Sequence, residues 1–373
     1  MAGPDDKPPR LLTGCIAGVD IPVSRLIYGT LFLGSLPESE AMALLDAVWM
    51  SGCNAFDCAA IYGGGQCERR LGDWLRSRGI KRELVVLISK GGCHGQDKLW
   101  SASLAEHELL EADLEGSISR LGVTYLDVYL LHRDDPQIAV GSIVTRMNSL
   151  IDGGRIRTWG VSNWSIARIA AARKYALDNH LTPPCCDSCQ SSLAEPRGSV
   201  WPGTTFITAE TRTTWLHAAG RQPHLAGGVS LLGWECLAKG FMAGKWGHHD
   251  AIDEAPLVPA QDDPAAAAKW RDVQLRYAYC TPTNFARRER AIQLAQSHGV
   301  ALPTLAIGYV LSQPSNDFAL IGTTTASHFQ QAVDGACSTS RVARLTEGEL
   351  AFLEHGATLQ VRATPLTEDL PLF

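Results

Sequence analysis

A chain of 373 residues, 45% hydrophobic and 19% charged with a mean hydropathy of −0.03, has ordinary globular composition and the length for one large α/β domain. A formal net charge of −6 gives no electrostatic reason to expect nucleic acid or an acidic membrane surface as partner, and no apolar run reaches the roughly 18 residues that span a bilayer. Residues 1–10 lack the apolar core of a signal peptide and read as a disordered tail, so the expected location is cytoplasmic.

Residues 11–24 read as a β-hairpin around Gly14 and Gly18, placed as a lid over one end of the fold. Strand and helix signals then alternate: strand over 25–33 and helix over 38–50, strand over 54–57 and helix over 67–78, strand over 84–90 and helix over 104–121. The same alternation continues with strand 125–132 and helix 141–152, then strand 158–162 and a helix over 165–178 with Ser165 as N-cap. Further strands lie over 185–190, 229–234 and 317–321, with helices over 204–220, 283–298, 303–312, 326–336 and 346–355. The stretches 194–203 and 244–281, the second rich in Pro, Asp and Ala, read as irregular. Strands alternating with helices of 10–15 residues are the signature of parallel βαβ units, and eight in one uninterrupted series predict a closed (β/α)8 TIM barrel with long loops at its C-terminal face. One domain is expected over 11–361, followed by a tail over 362–373.

Six of the strands end on a reactive or hydrogen-bonding side chain: Asp57, Lys90, His132, Ser162-Asn163, Gln190 and Trp234-Glu235. A buried strand has no internal use for such groups, so they predict one shared rim at the carboxyl ends of the strands, where barrel chemistry sits. Asp57, Tyr62, Lys90 and His132 form a coherent set. A tyrosine hydroxyl titrates near 10, and a buried cation beside it favours the phenolate and lowers that value. Lys90 can serve, held charged by Asp57, while His132 hydrogen-bonds a substrate oxygen; together they polarise a carbonyl and give it a proton. Singly, Asp57–Lys90 reads rather as a structural ion pair and His132 as a capping residue; four such groups on three successive strand ends favour chemistry.

Eleven cysteines scattered through apolar segments fit free buried thiols better than a disulfide framework. The C-x-x-C at Cys186–Cys189 has no second pair at ligand spacing, so no metal site is expected. No G-x-G-x-x-G occurs, which argues against a Rossmann-type dinucleotide site.

Asp57-Cys58-Ala59-Ala60-Ile61-Tyr62-Gly63, followed by Glu68, Leu71 and Gly72, resembles the active-site motif of the aldo-keto reductases. Tyr129-Leu130-Leu131-His132-Arg133 resembles that family's fourth strand, and Gly160-Val161-Ser162-Asn163 its fifth-strand motif. Gln190, Trp234, the run 237–245 and Ile321-Gly322-Thr323 follow in the family's order, so the resemblance spans about residues 20–355. It implies an oxidoreductase that reduces an aldehyde or ketone to an alcohol, or the reverse, with NADP(H) favoured over NAD(H) and neither metal nor flavin. By the same resemblance Tyr62 is the general acid, with Lys90, Asp57 and His132 assisting. Ser162, Asn163 and Gln190 hold the nicotinamide carboxamide and Trp234 stacks on its ring. Leu237, Gly240, Lys245, Gly322, Thr323, Thr325 and His328 lie along the rest of the cofactor.

Several positions depart from the pattern. The loop between Tyr62 and Glu68 is lengthened by Gly63-Gly64-Gly65-Gln66. Glu235 stands where the family commonly has Ser near the pyrophosphate, and a carboxylate there repels phosphate unless turned away. His328 replaces an Arg that often clamps the 2′-phosphate, and a histidine is mostly neutral at pH 7. Among the tryptophans in rim loops, Trp100, Trp201, Trp246 and Trp270 either wall a pocket or anchor the loops; Trp100 and then Trp164 are the leading substrate-pocket candidates. The expected partner is a small carbonyl or alcohol substrate, with neither nucleic acid nor membrane. A second function class stays open: a cofactor-sensing regulatory protein with little turnover.

Overall fold

The computed structural model describes residues 11–93, 107–201, 203–221, 228–257 and 264–357. Strands β1 (Thr13–Gly14) and β2 (Val23–Ser24) pair antiparallel as the hairpin. Eight parallel strands then close a barrel: β3 (Leu26–Gly29), β4 (Ala55–Asp57), β5 (Val86–Gly91), β6 (Leu126–Leu131), β7 (Ile156–Ser162), β8 (Cys186–Ser188), β9 (Ser230–Gly233) and β10 (Asn316–Ile321), with β10 pairing back onto β3. Helices α1 (Glu38–Met50), α2 (Gln66–Ser77), α3 (His107–Leu121), α4 (Val140–Asp152), α5 (Ile166–Asp178) and α6 (Arg212–Ala218) each return the chain to the next strand. Between β9 and β10 come α7 (Pro264–Tyr279), α8 (Pro282–His298) and α9 (Leu302–Ser312); α10 (Ala326–Ala336) and α11 (Glu347–His355) follow β10. The (β/α)8 expectation is met.

Local chemistry sets many of these boundaries. In α1 the buried residues Ala41, Leu44, Leu45 and Val48 recur at helical spacing while Glu38 and Glu40 occupy the first turn, favoured there by the helix dipole. Ser165 caps α5 as expected, accepting from the Arg168 amide. Thr281 caps α8 with Pro282 in its first turn, and Gly299 ends that helix at φ 68°. Thr346 and Glu349 form a reciprocal capping box on α11.

Successive strand side chains alternate between two separate apolar layers. Ile27, Val86, Ile88, Val128, Leu130 and Leu232 pack together with no helix residue among them, which places them inside the barrel. Their neighbours Leu26, Leu87, Tyr129 and Leu131 join the helix faces in the larger outer core. Ile16 and Val23 of the hairpin belong to the inner layer, so the hairpin plugs the end of the barrel where the strands begin. Each such fully buried side chain is worth about 1.5–3 kcal/mol.

Three boundaries differ from the sequence reading. The first barrel strand stops at Gly29 rather than running to residue 33, because the chain turns into a short 3-10 segment at Leu33–Ser35. The helix expected over 204–220 is only α6, since Thr204 to Thr211 is spent on side-chain and backbone contacts with the β7–β9 loops. The stretch expected to be irregular over 244–281 contains α7, begun by Pro264 ahead of an alanine run and buried through Trp270, Leu275, Ala278 and Tyr279. All eleven cysteines are free, and no single helix among the described residues is long and apolar enough to cross a membrane.

Candidate active site

The carboxyl ends of the strands surround a cavity of about 580 Å³. Asp57 closes β4, Lys90 lies one residue from the end of β5 and His132 follows β6, while Tyr62 opens a short helical turn after β4. Parallel register brings these ends level: Asp57 pairs with Ile88 and Lys90 with Leu130. All four side chains line the cavity.

Lys90 Nζ donates to Asp57 Oδ2 at 2.6 Å, to the Cys58 carbonyl at 2.8 Å and to Tyr62 Oη at 3.3 Å. Both members of the ion pair are almost wholly buried. Burial pulls the Lys90 pKa down, but Asp57 and Tyr62 more than restore it, so the ammonium stays charged. Burial pushes the Tyr62 phenol above its ordinary value of 10; the Lys90 charge opposes this without overcoming it. The sequence reading expected the cation to win. Desolvation is the larger effect, and Tyr62 is therefore a protonated donor at neutral pH. His132 is driven well below its ordinary value by burial and by the Lys90 and Arg133 charges, which makes it a neutral imidazole. Its ring meets the Tyr62 ring edge-on at 5.8 Å, and its Nδ1 has no hydrogen-bond partner. The corner can give a proton to an oxygen held between Tyr62 and His132, with Lys90 beside the phenolate that results.

The residues around Tyr62 are shaped by packing rather than by chemistry. Gly63, Gly64 and Gly65 take φ of 56°, 61° and 84°, three successive left-handed residues that other side chains adopt only at a cost. Glu68, fully buried, accepts from Ser89 Oγ at 2.6 Å and Arg120 Nε at 2.7 Å, tying α2 to β5 and α3 directly behind Lys90. At Gly72 a Cβ would fall 2.6 Å from the Arg120 carbonyl, so the close approach of α2 and α3 requires glycine.

The opposite wall comes from the ends of β7, β8, β9 and β10. Ser162, Asn163, Trp234, Leu237, Gly240, Gly322 and Thr323 all line the cavity. Asn163 sits at φ 61°, donates to Ser162 Oγ at 2.8 Å and accepts from the Thr205 amide at 3.2 Å, while Ser162 Oγ donates to the Ser188 carbonyl. Gln190 lies just behind this wall; its amide nitrogen donates to Ser192 Oγ and Tyr279 Oη, and its Oε1 is buried without a partner. Ser188, which the sequence reading missed, lines the cavity with its own Oγ buried and unpartnered. Its signal was available, since it closes β8 two residues before Gln190. A buried hydroxyl and a buried amide oxygen without protein partners are the kinds of donor and acceptor that a carboxamide completes.

Glu235 faces the cavity but is fully engaged. Oε1 lies 3.3 Å from Lys239 Nζ and accepts from Trp201 Nε1 at 3.4 Å, and Oε2 accepts from Tyr279 Oη at 2.7 Å. Its charge is thus balanced by a cation rather than presented bare. Glu235, Ala238 and Lys239 all have positive φ, a concentration of backbone strain typical of ligand sites.

The remaining expected residues lie elsewhere. Lys245 is outside the cavity wall, its Nζ 4.3 Å over the Trp246 ring. Thr325 caps α10 by accepting from the His328 amide, and both are solvent-facing beyond Thr323. Trp164 does not wall the cavity: it is buried in the outer core, with the Arg168 guanidinium over its ring. Trp100 lies outside the described residues. The aromatic wall is instead Trp201 against Trp270, rings 6.1 Å apart, with Arg133 and Arg271 also lining the space. Among the described residues no group of three or more His, Cys, Asp or Glu is placed to hold a metal ion.

The sequence model of the Aldo/keto reductase family matches residues 25–347. The chain is also 29% identical over 308 residues to a probable voltage-gated potassium channel subunit beta of Oryza sativa subsp. japonica, covering 81% of this chain and 84% of that protein. With the family match running from the first barrel strand to α11, the chain belongs to the aldo/keto reductase family, whose fold binds nicotinamide cofactors.

Proposed function

We propose that the protein reduces an aldehyde or ketone to the alcohol with NADP(H), and catalyses the reverse when supplied with the alcohol. The observation that carries this is the buried Asp57–Lys90–Tyr62 chain meeting a neutral His132 in one cavity. Ser162, Asn163, Ser188 and Gln190 would hold the carboxamide of the cofactor and Trp234 its ring face, and the bound cofactor would supply the hydride. Tyr62 hands its proton to the substrate oxygen, and Lys90 stabilises the phenolate left behind. His132 donates a hydrogen bond to the same oxygen and fixes the carbonyl between the two rings. Because burial raises the Tyr62 pKa, the proton needed for reduction is in place at pH 7. The reductive rate then declines only above pH 10, as Tyr62 ionises. The test is NADPH oxidation against a panel of aldehydes and ketones by the wild type and Tyr62→Phe; full turnover by the variant would sink the mechanism.

NADP(H) is preferred over NAD(H) on the family's habit, with Thr323, Thr325 and the start of α10 available to the 2′-phosphate. Tryptophan fluorescence titrated with both cofactors checks this, and equal affinities would mean that His328 does not recognise that phosphate. A second reading, a cofactor-sensing regulatory protein, is favoured by the channel-subunit relative. It predicts tight cofactor binding with negligible turnover on every substrate tried.

A further inference from the structure

At the other end of the barrel, where the strands begin, lies a smaller cavity of about 220 Å³. Its walls are Arg157 and Thr158 at the start of β7, Arg173 on α5, Cys185 ahead of β8, and Gly18 in the hairpin. Among the described residues no carboxylate lines it. Thr158 is 1% exposed, yet its hydroxyl has no hydrogen-bond partner. A buried hydroxyl without a partner forfeits free energy that a ligand or water can restore.

Arg173 is partly buried, whereas Arg157 is exposed and, being next to Thr158 on β7, projects from the other face of the strand. The Arg157 guanidinium lies 4.3 Å over the Tyr125 ring, and among the described residues neither it nor Arg173 makes an ion pair. Arg173 is seated on glycine backbone: a Cβ at Gly220, itself at φ 64°, would fall 2.0 Å from the Arg173 Cζ. Gly18 likewise lies against Thr158, its Cβ position being 2.7 Å from the Thr158 Cβ. The glycines thus admit one planar, five-donor cation and one hydroxyl-bearing side chain to the walls of this cavity.

We propose that this cavity is a binding site for a small oxyanion, either inorganic phosphate or the phosphate of a compact monoester, held by Arg173 and the Thr158 hydroxyl. At about 30 Å³ per water, its volume is that of roughly seven waters, enough for a phosphate and a short substituent but not for a dinucleotide. The site is independent of the catalytic cavity, although β7 and β8, at whose origins it lies, end on Ser162 and Ser188.

The test is calorimetric titration of the full chain with inorganic phosphate and, separately, with glycerol phosphate, at constant ionic strength and with or without saturating NADPH. One phosphate per chain is expected, bound equally well in both conditions, with a melting temperature that rises with phosphate as linkage requires. Arg173→Gln should weaken binding by about tenfold or more, as for loss of one charge-assisted pair. Thr158→Val keeps the side-chain shape and removes only the partnerless hydroxyl. It should weaken binding several-fold while leaving the ligand-free melting temperature unchanged or raised. Tighter binding of the monoester assigns the site to esters, and equal binding to free phosphate. Absence of binding, competition by NADPH, or unchanged affinity in Arg173→Gln would each overturn the proposal.

Discussion

The two halves of the catalytic rim are built differently. From β4 to β6, the reactive groups stand on or beside regular strand ends, and among the described residues positive φ falls only on glycines: Gly63, Gly64, Gly65, Gly79, Gly92 and Gly122. From β7 to the segment after β9, positive φ falls on Asn163, Glu235, Ala238 and Lys239, where a side chain makes it costly. The first half locks a charge pattern by burial, with Lys90 satisfied by Asp57, Cys58 and Tyr62. The second holds a strained backbone, and unpartnered polar atoms occur in both: Asp57 Oδ1 and His132 Nδ1 in the first, Ser188 Oγ and Gln190 Oε1 in the second. Preorganised electrostatics serve proton transfer, whereas unsatisfied polar groups serve a ligand that arrives and completes them.

That contrast can be broken at several points. Tyr62→Phe should lower kcat by about 10²–10⁴-fold with cofactor affinity intact, as read from steady-state rates and fluorescence titration. An equal loss of cofactor binding would mean that the two halves are not separable. Lys90→Met leaves Asp57 buried without its cation and should cost about 3–5 kcal/mol in urea unfolding. Adding Asp57→Asn should recover much of that loss, and failure to do so would mean that the pair is not the buried charge it is taken to be.

Asp187, on β8 beneath the cradle, supplies a pH test. Burial pushes its carboxyl up to about 7, against hydrogen bonds from Trp215 and Cys189. The folded pKa lies above the unfolded value, so the favourable protonated form is fully present below about pH 4 and is lost as pH rises through 7. Asp187→Asn, which can still accept from Trp215 Nε1, should stabilise the fold by a few kcal/mol at pH 8 and by much less at pH 5. The smallest effect is expected of Ser188→Ala. Its hydroxyl has no protein partner, so thermal stability should hold while cofactor binding weakens by about 0.5–1.5 kcal/mol. A stability loss without an affinity loss would make Ser188 a structural residue.

The proton-handling corner was legible in the sequence because Asp57, Lys90 and His132 each close an apolar strand, and strand register then leaves them little freedom. Glu68 and Gly72 were legible as a motif but not as a reason: that Glu68 ties three elements and Gly72 admits a neighbouring backbone follows only from the packing of α2 on α3. Trp164 failed as a pocket residue because a residue just past a strand can turn outward into the helix layer, and nothing local records which way it turns. Helix α7 was hidden by Pro and Asp before it, although its alanine run favours helix; its buried face exists only against the β8–β9 loops.

The sequence alone determined the barrel, its order of elements and the strand ends that carry chemistry, because these rest on short-range periodicity and on residues that buried strands do not otherwise tolerate. Tertiary structure decided the protonation of Tyr62, the neutralisation of Glu235 by Lys239, and the Trp201–Trp270 wall. It alone set Arg173 and the unpartnered Thr158 hydroxyl on the wall of one cavity at the far end. Those outcomes depend on desolvation and on contacts between residues far apart in the chain, and neither has a local signature.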